Sequence, residues 1–252
     1  MEKLSKNTAG ANNLKPLYRV GGIAVLFAVI VFRRNWSAEL TAFKGFGIFS
    51  LPERMPANAL EWFTLLQDDW FVGLSFLGLF DLVNYALLGL IFLSLYAALR
   101  EISRSTMLIA LIAGLAGCVV YLASNQAFAM LALSESYVAA SSAAERSLLQ
   151  AAGEALLAQG NPAAVHQGTG IYARLLLVLT AGLIISVVML RSEVFDKWTA
   201  IMGILANGIY LLYFPILVFA PAINWLAPTL AAPFRLIWYV LIAIKLFNLG
   251  KS

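Results

Sequence analysis

Residues Gly170–Leu190 read GIYARLLLVLTAGLIISVVML, and Arg191 follows directly. Arg174 is the only charge in the stretch. A helix rises about 1.5 Å per residue, so about 20 residues cross a hydrocarbon core about 30 Å thick. Lipid offers no hydrogen bonds to backbone groups, and a helix satisfies them internally. This stretch is therefore a transmembrane helix ended by a cation.

Working outward, five more apolar stretches read the same way: roughly 17–32, 75–99, 107–130, 199–220 and 230–249. The first is short and relies on Arg19 and Arg33 reaching outward at its ends. The second belongs to a longer apolar run from Trp70 to Leu99, which must tilt or protrude. The expected fold is all-α: a single polytopic membrane helix bundle of about six transmembrane helices, with outer amphipathic helices. Composition agrees. Of 252 residues, 62% are hydrophobic and 12% charged, against about 45–50% and about 25% in a soluble domain. So little polar material cannot coat a water-soluble globule of this size.

Lys3, Lys6, Lys15 and Arg19 precede the first run, but no small-x-small cleavage site comes before Arg33–Arg34, so it reads as an uncleaved helix. Cations beside helix ends set orientation. With the N-terminus inside, ten lie on the cytoplasmic side and five outside, with Arg174 and Arg235 left within spans. The Arg33–Arg34 pair opposes the rule. The expectation is a multi-pass cell-membrane protein with both termini cytoplasmic. The long connections 35–69 and 134–169 then fall outside. The first carries Gly45, Gly47, Pro52 and Pro56, then the amphipathic NALEWFTLLQDDW, whose Trp62 and Trp70 suit an interfacial belt. In the second, Ser142 and Glu145 form an S-x-x-E capping box. Leu149, Ala152 and Leu156 share one face of the ensuing helix, and Gly160 and Pro162 end it.

Several chemistries lose their usual evidence. The net charge of +4 is not gathered into a basic patch with aromatics, so there is no nucleic-acid footprint. The lone Cys118 excludes an intrachain disulfide and reads as a small buried hydrophobe. The lone His166 sits in the loop NPAAVHQGTG, where it neither ligates haem from a helix nor joins a zinc set. G-x-S-x-G, P-loop, G-x-G-x-x-G and H-E-x-x-H patterns are missing. No catalytic residue, metal ligand or cofactor is assigned. Ala113-x-x-x-Gly117 permits close helix approach. Pro215 should kink the fifth span, and Pro221, Pro228 and Pro233 should stiffen the last outer turn.

GLIISVVMLRSEVFDKWTAIMGILANGIYLLYF (182–214), AASSAAERSLLQAAGEALLA (139–158) and YRVGGIAVLFAVIV (18–31) resemble a bacterial family of six-helix integral membrane proteins classed as a domain of unknown function. The resemblance runs over roughly residues 16–248. It implies a bacterial inner-membrane location and no known activity, and it carries over no site residue.

The polar residues inside the spans are the candidate ligand site: Asp81 and Asn84 in the second, Asn125 and Gln126 in the third, Arg174 in the fourth and Arg235 in the sixth. Ser124 and Asn207 are further polar interruptions. Inserting an ionised group in hydrocarbon costs roughly 2.5–3.5 kcal/mol, so such groups face the bundle interior and find partners. Counted from the cytoplasmic ends, Asp81, Asn125, Arg174 and Arg235 sit at similar height, about 22–28 Å up at helical rise. Asp81 is the acidic residue expected to pair with Arg174, with Arg235 competing. Two readings follow. One is binding or transport-like handling of a small polar or lipid-like ligand at an outer-leaflet pocket, with membrane lipid as surrounding partner. The other is a structural or accessory membrane subunit in which the same groups are glue. A membrane enzyme ranks behind both, for want of a nucleophile–base pair.

Overall fold

The computed structural model describes residues 2–32, 54–161 and 166–251, with the side chains of 2–13 and 30–32 outside that description. Arg33, Arg34, Lys44, Gly45, Gly47, Pro52 and Pro162 lie outside the described residues. In chain order the helices are α1 (Glu2–Phe32), α2 (Ala59–Asp68), α3 (Trp70–Phe76), α4 (Leu79–Leu99), α5 (Arg104–Ser124), α6 (Ala127–Ala139), α7 (Ala143–Gly160), α8 (Thr169–Met189), α9 (Lys197–Leu211), α10 (Tyr213–Phe219) and α11 (Leu226–Lys251). The described residues contain no strand.

Among the described residues, five helical stretches are long and apolar enough to cross a membrane: Leu79–Leu99, Arg104–Ala139, Thr169–Met189, Lys197–Phe219 and Pro221–Lys251. They account for five of the six expected spans. The expected span 17–32 lies in α1, where the side chains of 30–32 are outside the described residues. The helix continues back through Pro16 into a polar segment.

The chain divides into two compact units. The first comprises Met1–Arg33, Asn84–Val119 and Arg174–Ser252. It holds α1, α9, α10, α11 and most of α4, α5 and α8. Lipid supplies no hydrophobic drive between helices, so close approach at small residues holds them. A Cβ added at Gly21 of α1 would sit 2.1 Å from Ser94 Oγ of α4, and that hydroxyl donates to the Leu17 carbonyl at 3.0 Å. Gly22 packs on the Phe247 ring of α11, and Arg19 Nε donates to the Gly250 carbonyl at 3.0 Å. Gly114 of α5 lies against Phe92 of α4. Gly117 admits α8, its missing Cβ falling 3.1 Å from the Arg174 carbonyl oxygen. The close approach expected from Ala113-x-x-x-Gly117 is thus made at Gly117, within the chain. Cys118 beside it is buried and free, as read.

The fifth span breaks. Pro215 has no N–H for the Leu211 carbonyl, and α9 ends at that residue, with α10 restarting at Tyr213. Pro221 opens a short 3-10 turn, as a turn-stiffening proline would. Pro233, by contrast, lies inside α11, which begins at Leu226 rather than at 230. Pro228 sits in its first turn, where the missing N–H has no intrahelical acceptor to lose.

The second unit comprises Arg34–Val83 and Val120–Ala173. Its core joins Ala59, Trp62, Phe63 and Leu66 of α2, Leu74 and Leu77, Ala127 and Met130 of α6, and Leu157 of α7. Trp62 is 0% exposed, which corrects its assignment to an interfacial belt. The amphipathic face of α2 meets protein, including Gly153, whose missing Cβ would touch Ala59 and Phe63. Trp70, at 58% exposure, keeps the surface position expected of it. On α7 the capping box forms: Ser142 Oγ accepts from the Glu145 N–H at 3.1 Å, while the Glu145 carboxylate accepts from the Ser141 N–H at 3.0 Å. The helix ends at Gly160 as read. Its buried face is Gly153 and Leu157, flanked by Leu149 and Leu156; Ala152 is exposed, contrary to expectation. The face turns by one residue because the glycine, and not an alanine, allows α2 to approach.

Two expected spans prove interrupted in this unit. The run 75–99 is broken at Leu77–Gly78, where Gly78 takes φ +97°, a conformation that suits a residue without Cβ. The run 107–130 is broken at Asn125–Gln126, between α5 and α6. α6 also runs on to Ala139, inside what was read as the connection 134–169.

Candidate functional site

The six candidate residues fall into two groups. Asn84, Arg174 and Arg235 belong to the first unit; Asp81, Asn125 and Gln126 belong to the second.

In the first unit, Arg174 lies in the second turn of α8, and its guanidinium donates to the Tyr85 hydroxyl of α4. Its Cζ stands 5.1 Å from the Tyr85 ring centroid, so one tyrosine supplies both an acceptor and a π face. Arg235 of α11 stands 4.6 Å over the Tyr210 ring of α9. An arginine stays charged at any depth, and an aromatic face helps to solvate it where water is scarce. Counted along their helices from Leu99, Met189, Lys251 and Leu211's partner end at Lys197, Tyr85, Arg174, Arg235 and Tyr210 all lie about 20–24 Å up. Gly117 of α5 touches the Arg174 backbone. Asn84, half-buried, precedes Tyr85 on α4.

Below this level the helices are knotted by small polar groups. Ser186 Oγ donates to the Gly182 carbonyl at 2.7 Å, and Asn207 Nδ2 donates to the Gly203 carbonyl at 2.8 Å. A Cβ on Gly203 would lie 2.2 Å from Ser186 Oγ and 2.4 Å from Trp238 Nε1. Asn207 is therefore a buried packing residue of α9.

In the second unit, Asn125 ties the two helix breaks together. Its Nδ2 donates to the Leu77 carbonyl at 3.2 Å and to the Tyr121 hydroxyl at 3.1 Å, and its Oδ1 accepts from the Ala127 N–H at 3.0 Å. Tyr121 in turn donates to the Gly78 carbonyl at 3.3 Å. These bonds occupy the backbone groups that the breaks release. Gln126 Nε2 reaches the Ser124 carbonyl at 3.3 Å and Gln159 Oε1 of α7 at 3.2 Å. Asp81 sits in the first turn of α4, where a carboxylate complements the helix dipole, with its Cβ close to Gly78.

Sequence reasoning missed Tyr85, Tyr121 and Tyr210. Each is an aromatic at the depth of a polar candidate, and that coincidence of depth was the available signal. His166 is exposed, as read, and among the described residues no group of His, Cys, Asp and Glu could hold a metal.

No curated protein and no solved structure matches the chain. Residues 17–247 match the family described as a domain of unknown function, DUF4386. That match takes in the five membrane-length helices of the described residues but for a few terminal residues of the last, and the chain, an integral membrane protein, belongs to the DUF4386 family.

Proposed function

We propose that this membrane protein binds a small anionic or zwitterionic ligand, of the lipid-headgroup class, through Arg174 and Arg235, with Asn84 beside them, and handles it in a binding or transport-like role. The observation that supports this is the repeated arrangement of an intramembrane arginine laid on a tyrosine at one depth in the first unit. Ionisable groups within spans mark ligand or ion sites by default, and a planar guanidinium fork suits phosphate and carboxylate alike. The cation distribution favours both termini cytoplasmic, which puts the arginines toward the outer leaflet, and the family resemblance implies a bacterial inner membrane. The test is thermal unfolding of the detergent-solubilised protein with glycerol 3-phosphate as probe. It should raise the melting temperature of the wild type and do so less for Arg174→Gln and for Arg235→Gln. No shift in the wild type, or a shift in both variants as large as that of the wild type, defeats the reading.

A second reading, a structural or accessory subunit, draws support from Asn125 and Gln126, whose hydrogen bonds serve the chain's own backbone and Gln159.

A further inference from the structure

The connection between α8 and α9, MLRSEVFDKW (189–198), is a helix-end pattern that neither reading uses. It is rigidly built. Ser192 Oγ donates to the Met189 carbonyl at 3.0 Å and lies 3.3 Å from the Phe195 N–H. Phe195 is 3% exposed and plugs the loop into the bundle. Asp196 caps α9, accepting from the Thr199 N–H at 2.7 Å. The exposed side chains from 191 to 198 are Arg191, Glu193, Asp196, Lys197 and Trp198, the indole at 69% exposure.

This loop shares an end of the first unit with the start of α5. Gly117, which touches the Arg174 backbone, lies thirteen residues from Arg104, and Arg174 lies fifteen from Met189, or about 20 and about 22 Å of helix. Arg100 and Arg104 are therefore at the same level as Arg191 and Lys197. The acids nearby are Glu101, bonded to Arg100 at 3.3 Å, Glu193, and Asp196, committed to its cap. By contrast the connection from α9 to α11, residues 212–225, carries no charge.

We infer that the α8–α9 loop is a preformed binding site for an anionic phospholipid headgroup of the leaflet at that end. Arg191 and Lys197 face the phosphate, and Trp198 lies at the headgroup level where indoles concentrate. A basic group beside the membrane attracts an anionic lipid, and each contributes about fivefold in binding. The loop backbone that carries both cations and the indole is already ordered, so less ordering is left to oppose binding.

The test is native mass spectrometry of the full-length protein from mixed micelles with equal parts phosphatidylglycerol and phosphatidylcholine. The wild type should retain phosphatidylglycerol in preference. Arg191→Gln and Lys197→Gln should each cut that preference by up to about fivefold, with melting in phosphatidylcholine alone unchanged. Arg146→Gln, on exposed α7, should leave it intact. Rising salt should weaken the wild-type preference, as exposed charges are screened, which keeps the test open should a variant fail to fold. Equal retention of both lipids by the wild type, a preference unmoved by both substitutions or by salt, or displacement of the lipid by inorganic phosphate would overturn the site.

Discussion

Asn125 donates to the carbonyl of Leu77 across 3.2 Å, joining an interruption in one helical run to an interruption in another. The same side chain accepts from the Ala127 N–H and so starts α6. Asn125→Ala removes three bonds, leaving the Leu77 carbonyl and Tyr121 hydroxyl short of a donor and the Ala127 N–H short of an acceptor. Unmaking buried bonds of this kind costs about 1–3 kcal/mol. The variant should melt clearly below wild type in detergent; an unchanged melting temperature would mean that the breaks are held by other groups.

Gly203 and Gly208 lie on the same helix and should respond in opposite directions to alanine. At Gly203 the new methyl would meet Ser186 Oγ at 2.2 Å and Trp238 Nε1 at 2.4 Å, and overpacking costs about 1–3 kcal/mol. At Gly208 nothing lies within 4 Å, so the gain in helix propensity, up to about 1 kcal/mol, stands alone. Thermal unfolding of the two variants side by side checks this. A stable Gly203→Ala would show that α8, α9 and α11 are less tightly knotted than their contacts indicate.

The two tryptophans of the stretch NALEWFTLLQDDW separate in the same manner. Trp62→Ala empties a fully buried position and should cost about 3–5 kcal/mol. Trp70→Ala removes a ring that is 58% exposed and should scarcely move the melting temperature in detergent. If both variants behaved alike, the core of the second unit would be misassigned.

That pair also shows where sequence was enough and where it was not. Length and apolarity placed five membrane-length helices, because lipid imposes both on each helix separately. The Ser142–Glu145 box is equally local, three residues apart, and it forms. Trp62 depends on partners far along the chain: the N–H of Ala59, at the start of its helix, is bonded by Glu154, 95 residues away. An amphipathic face looks the same whether it meets lipid or protein. The polar residues at 124–126 were visible as an interruption, but that Asn125 would bridge to a second break depended on Gly78 adopting a positive φ. At the candidate site the arginines were legible as charges in apolar runs, whereas Tyr85 and Tyr210 were not, since tyrosines are common in such helices.

Acid should loosen the entrance to α2. Arg54 bonds Glu61 through both guanidinium nitrogens, at 2.9 and 3.0 Å, and the Ala57 N–H adds a third bond at 2.9 Å. The Arg54 hydrogen bond, then the Ala57 backbone bond, hold the Glu61 carboxyl below its ordinary value of 4.5. A lowered carboxylate pKa contributes stability that is complete above the ordinary value and is lost as pH falls through the lowered one. Melting temperature should therefore drop more steeply below pH 4.5 in the wild type than in Glu61→Gln, which has no charge to lose. Both groups are solvent-exposed, so the difference should be small and shrink with salt. Parallel curves at low salt would show that the pair is inert.

Tyr85 offers Arg174 a hydroxyl and a ring, and these can be removed in sequence. Tyr85→Phe deletes the acceptor and keeps the π face that the guanidinium stands over at 5.1 Å. Tyr85→Leu deletes both while keeping an apolar side chain at a buried position. A hydrogen bond to a charged group contributes about 1.5–3 kcal/mol, and a desolvated cation–π contact adds up to about 2 kcal/mol. A guanidinium needs hydrogen-bond acceptors or an aromatic face where water is scarce, so Arg174 must turn to other partners when Tyr85 no longer serves it. Melting temperatures should fall in the order wild type, Tyr85→Phe, Tyr85→Leu. In an Arg174→Leu background the Tyr85→Phe step should shrink toward zero, because the hydroxyl then has no guanidinium to serve. If Tyr85→Phe costs as much in that background as in the wild type, the hydroxyl acts through some other group, and the arginine–tyrosine arrangement is not what holds Arg174 in place.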